Sequence, residues 1–149
     1  MTWRTAFTNL AAISVTGVTT RYDLSALPNT LPAAELPALV PGFAASAGGA
    51  DSEGLSTLVY DGSVWRSTLA VEHILCYQPS WSDAGLATVL PNIITVVDNY
   101  LAAIKANGKL SGALDEDLQI TRIEPGVFDY GGVRYYGARF THRWVRIVT

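Results

Sequence analysis

The sequence predicts an α+β fold: an antiparallel or mixed β-sheet with a long amphipathic helix and a shorter N-terminal helix packed on one face. Three observations carry this. Leu86, Leu90, Ile93, Val97, Tyr100, Leu101 and Ile104 recur at a period near 3.6, which aligns them on one side of a helix. Residues 65–77 and 127–148 instead alternate at period two, as half-buried strands do. Glycine and proline punctuate the chain between these stretches.

The elements follow in order. Trp3, Phe7, Leu10 and Ile13 stand at helical intervals, so residues 3–13 read as a short amphipathic helix ended by Gly17, with a β-branched stretch reaching Tyr22. Pro28, Pro32, Pro37 and Pro41 then fall within residues 24–42. No ordinary helix or central strand tolerates that spacing, so this is an extended connection with one short strand near Leu39 and Val40. Residues 44–54 are rich in Gly, Ala and Ser and read as a flexible loop. Runs at 55–60 and 65–77 flank Asp61-Gly62, a hairpin signal. On the second run Leu69, Val71, Leu75 and Tyr77 share a face, and His73 falls within that stripe. Ser80 with Asp83 fits a loose capping box for the long helix, Pro91 predicts a kink or restart inside it, and Asn107-Gly108 stops it. Residues 118–123 form a short strand broken by Glu124-Pro125-Gly126. One long strand or a pair follows, around Tyr130-Gly131-Gly132. Tyr136, Ala138, Phe140 and Trp144 lie on one side, and Arg139, Thr141 and Arg143 on the other. That pattern belongs to a sheet covered on one side.

Size and composition bound the function. The 149 residues fit a single domain, 1–149, and no internal repeat is visible. Hydrophobic residues are 49 % and charged residues 15 %, against a usual charged share of about 25 %. The missing charge implies either a large core or apolar surface buried against other subunits. The net charge of −3 gives no chain-wide attraction to nucleic acid, and no sequence-specific nucleic-acid partner is expected. One cysteine, Cys76, excludes an intrachain disulfide scaffold. No run approaches the roughly 18 uninterrupted apolar residues of a membrane helix, and the N-terminus lacks the order of a signal peptide, so a cytoplasmic protein without a membrane partner is expected.

No catalytic centre, metal or cofactor is expected. His73 and His142 have only Cys76 or distant carboxylates as further ligands, and no short-spaced metal motif is present. His73 and Cys76 are three apart on a strand and point to opposite faces, so they form no Cys-His pair. A buried, hydrogen-bonded His73 and an inert core Cys76 are the expectation. No serine sits in a nucleophile elbow, and Gly108-Lys109 lacks the glycine spacing of a phosphate loop. Asp115, Glu116 and Asp117 read as a solvated acidic turn ahead of a cation site. Trp65, Tyr77, Trp81, Tyr135, Tyr136 and Trp144 read as core or interface packing ahead of a stacking platform. The acidic turn opposes Arg134, Arg139, Arg143 and Arg146 near the C-terminus, a polarity that can steer one copy onto another. Candidate interface residues are Asp115, Glu116, Asp117, Arg134, Arg139 and Arg143, with Ser46, Gly48, Gly49 and Asp51 in the 44–54 loop.

Four stretches carry a family resemblance. They are the N-terminal helix with Ala34-Glu35-Leu36-Pro37-Ala38-Leu39-Val40; Val64-Trp65-Arg66-Ser67-Thr68-Leu69-Ala70-Val71-Glu72; Gln78-Pro79 through Asp83 to Ile104; and Tyr130 to Arg146, with Tyr135-Tyr136-Gly137-Ala138-Arg139-Phe140-Thr141. In element order these stretches resemble the tail terminator proteins of long-tailed bacteriophages, which include the minor tail protein U group. The resemblance implies a structural virion protein at the neck or tail top, assembled in the host cytoplasm as a homohexameric ring. Such a ring caps the tail tube, stops its polymerisation and joins the tail to the head-completion or connector proteins. Its partners would be itself, the tail tube protein and the head-completion protein. The alternatives are another neck, connector or tail-tube protein, or a small binding module using the aromatic sheet face. The 44–54 loop is expected to order only on docking to a partner.

Overall fold

The computed structural model describes residues 2–43, 55–62, 64–81 and 85–148. It has two helices, α1 (Trp3–Ala12) and α2 (Leu86–Lys105), and six strands: β1 (Thr20–Arg21), β2 (Ala38–Phe43), β3 (Leu55–Asp61), β4 (Val64–Pro79), β5 (Gln119–Tyr130) and β6 (Val133–Val148). The sheet runs β1-β2-β4-β6-β5, with β3 also paired to β4. The β1–β2 pairing is parallel and every other pairing antiparallel, so the fold is α+β with a mixed sheet.

The core is the ladder between the two 16-residue strands β4 and β6, in which Leu69 faces Trp144, Val71 faces His142, His73 faces Phe140 and Leu75 faces Ala138. Gly137 lies so close to the neighbouring strand that a Cβ there would stand 1.6 Å from the Leu75 carbonyl oxygen. Strands β2 and β3 both run antiparallel to β4 along the same side. Phe43 pairs with Val71 and Leu55 with Leu69, so the two strands act as one edge interrupted between residues 43 and 55. The 44–54 loop expectation, with Ser46, Gly48, Gly49 and Asp51, lies outside the described residues.

Both helices cover the same face of the sheet. Thr2 caps α1 by accepting from the Thr5 amide (3.1 Å), and Ala6, Phe7 and Leu10 are buried. Helix α2 buries Val89, Ile93, Val96, Val97, Tyr100 and Ile104. The two helices, the odd-numbered core residues of β4 and the even-numbered ones of β6 share a single apolar cluster. By length and apolarity α2 alone would pass as a membrane span, but here its buried stripe is the inner surface of that cluster.

Four expectations change. The Ser80/Asp83 capping box does not start α2, because its N-cap is Gly85 and the Ser80 amide is bound to the Arg134 carbonyl (2.8 Å). Of the kink or restart predicted at Pro91, the restart does not occur: Pro91 lies inside one continuous helix, and burial along the stripe keeps the chain helical around the missing N–H. Glu124-Pro125-Gly126 does not break the strand after Gln119. The strand continues to Tyr130 because β5 is the sheet edge, where a proline can turn its nitrogen away from the ladder. Pro41 is accommodated in β2 in the same way, beyond the two residues that β1 covers.

The fourth change concerns the second face, which is not wholly open. At one end Leu31, Ala38, Val40, Cys76 and Tyr135 form a smaller cluster, with Tyr22, Leu36, Ile74, Tyr130 and Val133 packed on it. Part of the proline-rich segment therefore lies across that end of the sheet. The β5–β6 turn is fitted to it: Gly131 and Gly132 have φ of 57° and 79°, a pair of left-handed residues suited to a two-residue hairpin, and a Cβ on Gly131 would reach within 2.4 Å of the Asn29 carbonyl oxygen.

Candidate functional site

The two faces of the sheet hold two different polar arrangements. On the helix face a hydrogen-bonded chain runs through the core. The Tyr100 hydroxyl on α2 lies 2.8 Å from His73 Nδ1 on β4 and 2.7 Å from His142 Nε2 on β6. Trp144 Nε1 donates to His142 Nδ1 at 3.3 Å. All four side chains are essentially inaccessible to solvent.

Chemistry fixes the direction of this chain. An indole N–H can only donate, so His142 Nδ1 is an acceptor and its proton sits on Nε2. His142 Nε2–H therefore donates to the Tyr100 oxygen, and the Tyr100 O–H donates to His73 Nδ1. His73 then carries its proton on Nε2, a buried nitrogen with no hydrogen-bond partner. Both imidazoles are neutral. Burial holds His142 down to about 3, and burial with the neighbouring His142 holds His73 well below the ordinary histidine range. Burial likewise pushes the Tyr100 hydroxyl well up. Phe140 stacks on the Tyr100 ring at 3.8 Å, and Phe7 from α1 lies 4.8 Å from the Trp144 ring.

On the opposite face the ionisable groups pair with one another. Arg139 binds the Glu124 carboxylate and approaches Glu72 at 3.4 Å, while Arg122 binds Glu124 from the other side. Arg139 also lies 5.4 Å over the Phe128 ring. The Arg139 hydrogen bond holds the Glu124 carboxyl below its usual range. Glu72, the most enclosed of the group, is raised by burial against the opposing pull of Arg139.

Of the candidate interface charges, Asp115, Glu116, Arg134, Arg139 and Arg143 have partners within the chain. The Asp115 carboxylate accepts from the Ile147 amide (2.6 Å), and the Asp115 amide donates to the Val145 carbonyl (3.2 Å). Glu116 receives one Arg66 nitrogen on both oxygens (2.9 and 3.0 Å). Asp117 lies against Gly108. The acidic turn thus clips the segment after α2 onto the end of β6 and β4. Among the described residues no group of three or more His, Cys, Asp or Glu side chains converges as metal ligands would. Arg134 pairs with Asp129 across the hairpin (3.2 Å), Arg139 belongs to the ladder just described, and Arg143 reaches the Gln119 side chain (3.5 Å). Among the described residues the acidic and basic candidates are therefore not paired with one another. Arg146 stacks 5.3 Å over Trp3, beside an open groove of about 420 Å³ lined by Trp3, Arg4, Phe7, Leu24 and Ser25.

His73 is buried and hydrogen-bonded as expected, and Cys76 faces the other side, its thiol pushed up to about 12 by burial. Sequence reading missed the Tyr100 bridge. The signal was present: His73 lies in the β4 stripe, Tyr100 in the α2 stripe, and His142 between Phe140 and Trp144 in the β6 stripe.

Apolar side chains remain exposed at both ends of the β4–β6 ladder. Trp65 (45 % exposed), paired with Val148, and Ile147 mark one end. Trp81 (76 % exposed), just past the end of β4, and Val127, paired with Tyr136, mark the other. The sequence matches no protein-family model and no curated protein.

Proposed function

We propose that this chain is a structural subunit of a long-tailed bacteriophage that closes into a hexameric ring, caps the tail tube and joins it to a head-completion protein. The observation that carries this reading is the exposure of large apolar side chains at opposite ends of one ladder. A ring held between two different neighbours needs adhesive surface at both ends, and exposed tryptophans are the usual anchors of such contacts. The two sheet edges are also unlike, as a heterologous, ring-closing contact requires. Edge β5 carries Pro125, the Arg122–Glu124 pair and a register shift between Ile120 and Arg122. These devices discourage strand addition. Edge β3 runs from Leu55 to Asp61 with no proline and carries charge only at its last residue, Asp61, beside the turn. In this reading the chain has no catalytic role, and takes neither metal nor cofactor.

Light scattering with native mass spectrometry tests it. A closed species near six subunits is expected. Open-ended growth would favour a tail-tube protein, and a monomer at tens of micromolar would favour a small binding module. Trp81→Ala and Trp65→Ala should leave the ring intact and impair joining of tails to tubes or heads in a complementation assay.

A further inference from the structure

Among the described residues, both hydrogen bonds that tie α2 to the sheet are made by the Tyr100 hydroxyl, one to each flanking strand. The other long-range side-chain bond of α2, Asn99 to the Thr16 carbonyl (3.0 Å), goes to a connecting loop. The chain His73–Tyr100–His142–Trp144 accepts no change in proton count. A proton added to His142 Nδ1 would face the Trp144 N–H, donor against donor. A proton added to His73 Nδ1 would leave the Tyr100 hydroxyl hydrogen without an acceptor. Either addition also places a cation in an apolar core.

We propose that this chain is an acid-sensitive latch: proton uptake at either imidazole breaks its donor order and releases α2 from the sheet. The groups packed around it are Tyr100 from α2, His73 from β4, Phe140, His142 and Trp144 from β6, and Phe7 from α1 against Trp144. Among the described residues none of these elements turns a carboxylate or guanidinium toward either imidazole. Glu72 and Arg139 lie on the opposite face. The electrostatic neighbour of His73 is His142 itself, which adds to the effect of burial.

The direction follows from linkage. Both imidazoles bind protons less readily in the fold than in the open chain, where histidine titrates near 6.5. The latch is fully closed above that value and weakens as pH falls below it. The opening equilibrium rises about tenfold per pH unit for each imidazole, so about 100-fold per unit for the pair. Glu124 is held below the ordinary carboxylate range by Arg139 while burial raises Glu72, so their shifts oppose one another in sign. The histidine contribution is read between about pH 6.5 and about 5, above the ordinary carboxylate range.

The test uses the whole chain in three measurements. Imidazole nitrogen NMR of the wild type should show two neutral rings, both protonated on Nε2, at about pH 7 and still at about pH 5.5; an Nδ1–H tautomer or an imidazolium in the folded protein would overturn the latch without any variant. Urea unfolding across the same interval should show the two-proton slope, falling to one proton in His73→Asn, which keeps an acceptor at the Nδ1 position. An unchanged slope in that variant, or a flat wild-type profile, also defeats it. Amide exchange should then lose protection in 93–104 of α2 before 69–75 of β4. Equal loss in both would mean that protonation opens the whole core and no separate latch exists.

Discussion

His73 and Glu72 are adjacent on β4, yet they live in opposite electrostatic worlds. His73 faces the helices, is neutral, and takes part in a hydrogen-bond chain with a fixed direction. Glu72 faces the other way and joins a ladder with Arg139 and Glu124 that water still reaches. The alternation of a strand puts them about 180° apart, and the covering layer does the rest. Where α1 and α2 exclude water, ionisation costs too much and polar groups must satisfy one another as neutral donors and acceptors. Where the sheet is open, the same strands carry guanidinium and carboxylate pairs whose contribution is small and screened by salt. The lesson is that burial, more than residue type, sets what an ionisable side chain contributes here.

Substitutions on the two faces sharpen this contrast. The largest effect is expected for Val97→Asp, which puts a carboxylate without a partner on the buried stripe of α2. It should cost about 4 kcal/mol in urea unfolding, and a melting temperature within a degree or two of wild type would break the helix-face assignment. Tyr100→Phe keeps the ring and its stacking on Phe140 but strands the His142 Nε2–H and the His73 Nδ1 lone pair. Two unsatisfied buried groups should cost about 3 kcal/mol, independent of added salt. Arg139→Ala, on the open face, should cost about 1 kcal/mol, a loss that shrinks at high ionic strength. Arg122 is 72 % exposed along its side chain, and Arg122→Ala should stay within about 0.5 kcal/mol of wild type. If Arg139→Ala proves as costly as Tyr100→Phe, and insensitive to salt, the contrast between the faces is wrong.

Much of the fold was legible because it rests on local periodicity. The Asp61-Gly62 hairpin, the β4 stripe through Leu69, Val71 and Leu75, and the β6 division between Phe140 and Arg139 were all readable from spacing alone. The helix stripe was legible to within a position: Val89 and Val96 are buried, whereas Leu90 and Leu101 are only partly so. The candidate charges were visible as clusters, but a cluster in sequence does not say whether a charge already has a partner. Asp115 is taken by the Ile147 amide and Glu116 by Arg66, which lies 50 residues away in the chain.

The sequence by itself determined which residues share a face, because side-chain direction along a helix or strand depends only on local backbone geometry. It also determined where the main turns fall, through residues such as Gly131 and Gly132 that tolerate left-handed backbone. The tertiary structure decided everything that depends on a neighbour. Pro125 breaks no strand because β5 happens to be an edge, and β2 and β3 share one side of β4 although residues 44–54 separate them. Tyr100 is a bridge and not merely an apolar stripe residue, because folding brings His73 and His142, 69 positions apart, within reach of one hydroxyl. Partner, edge position and access to water are relations between distant segments, and local periodicity does not encode them.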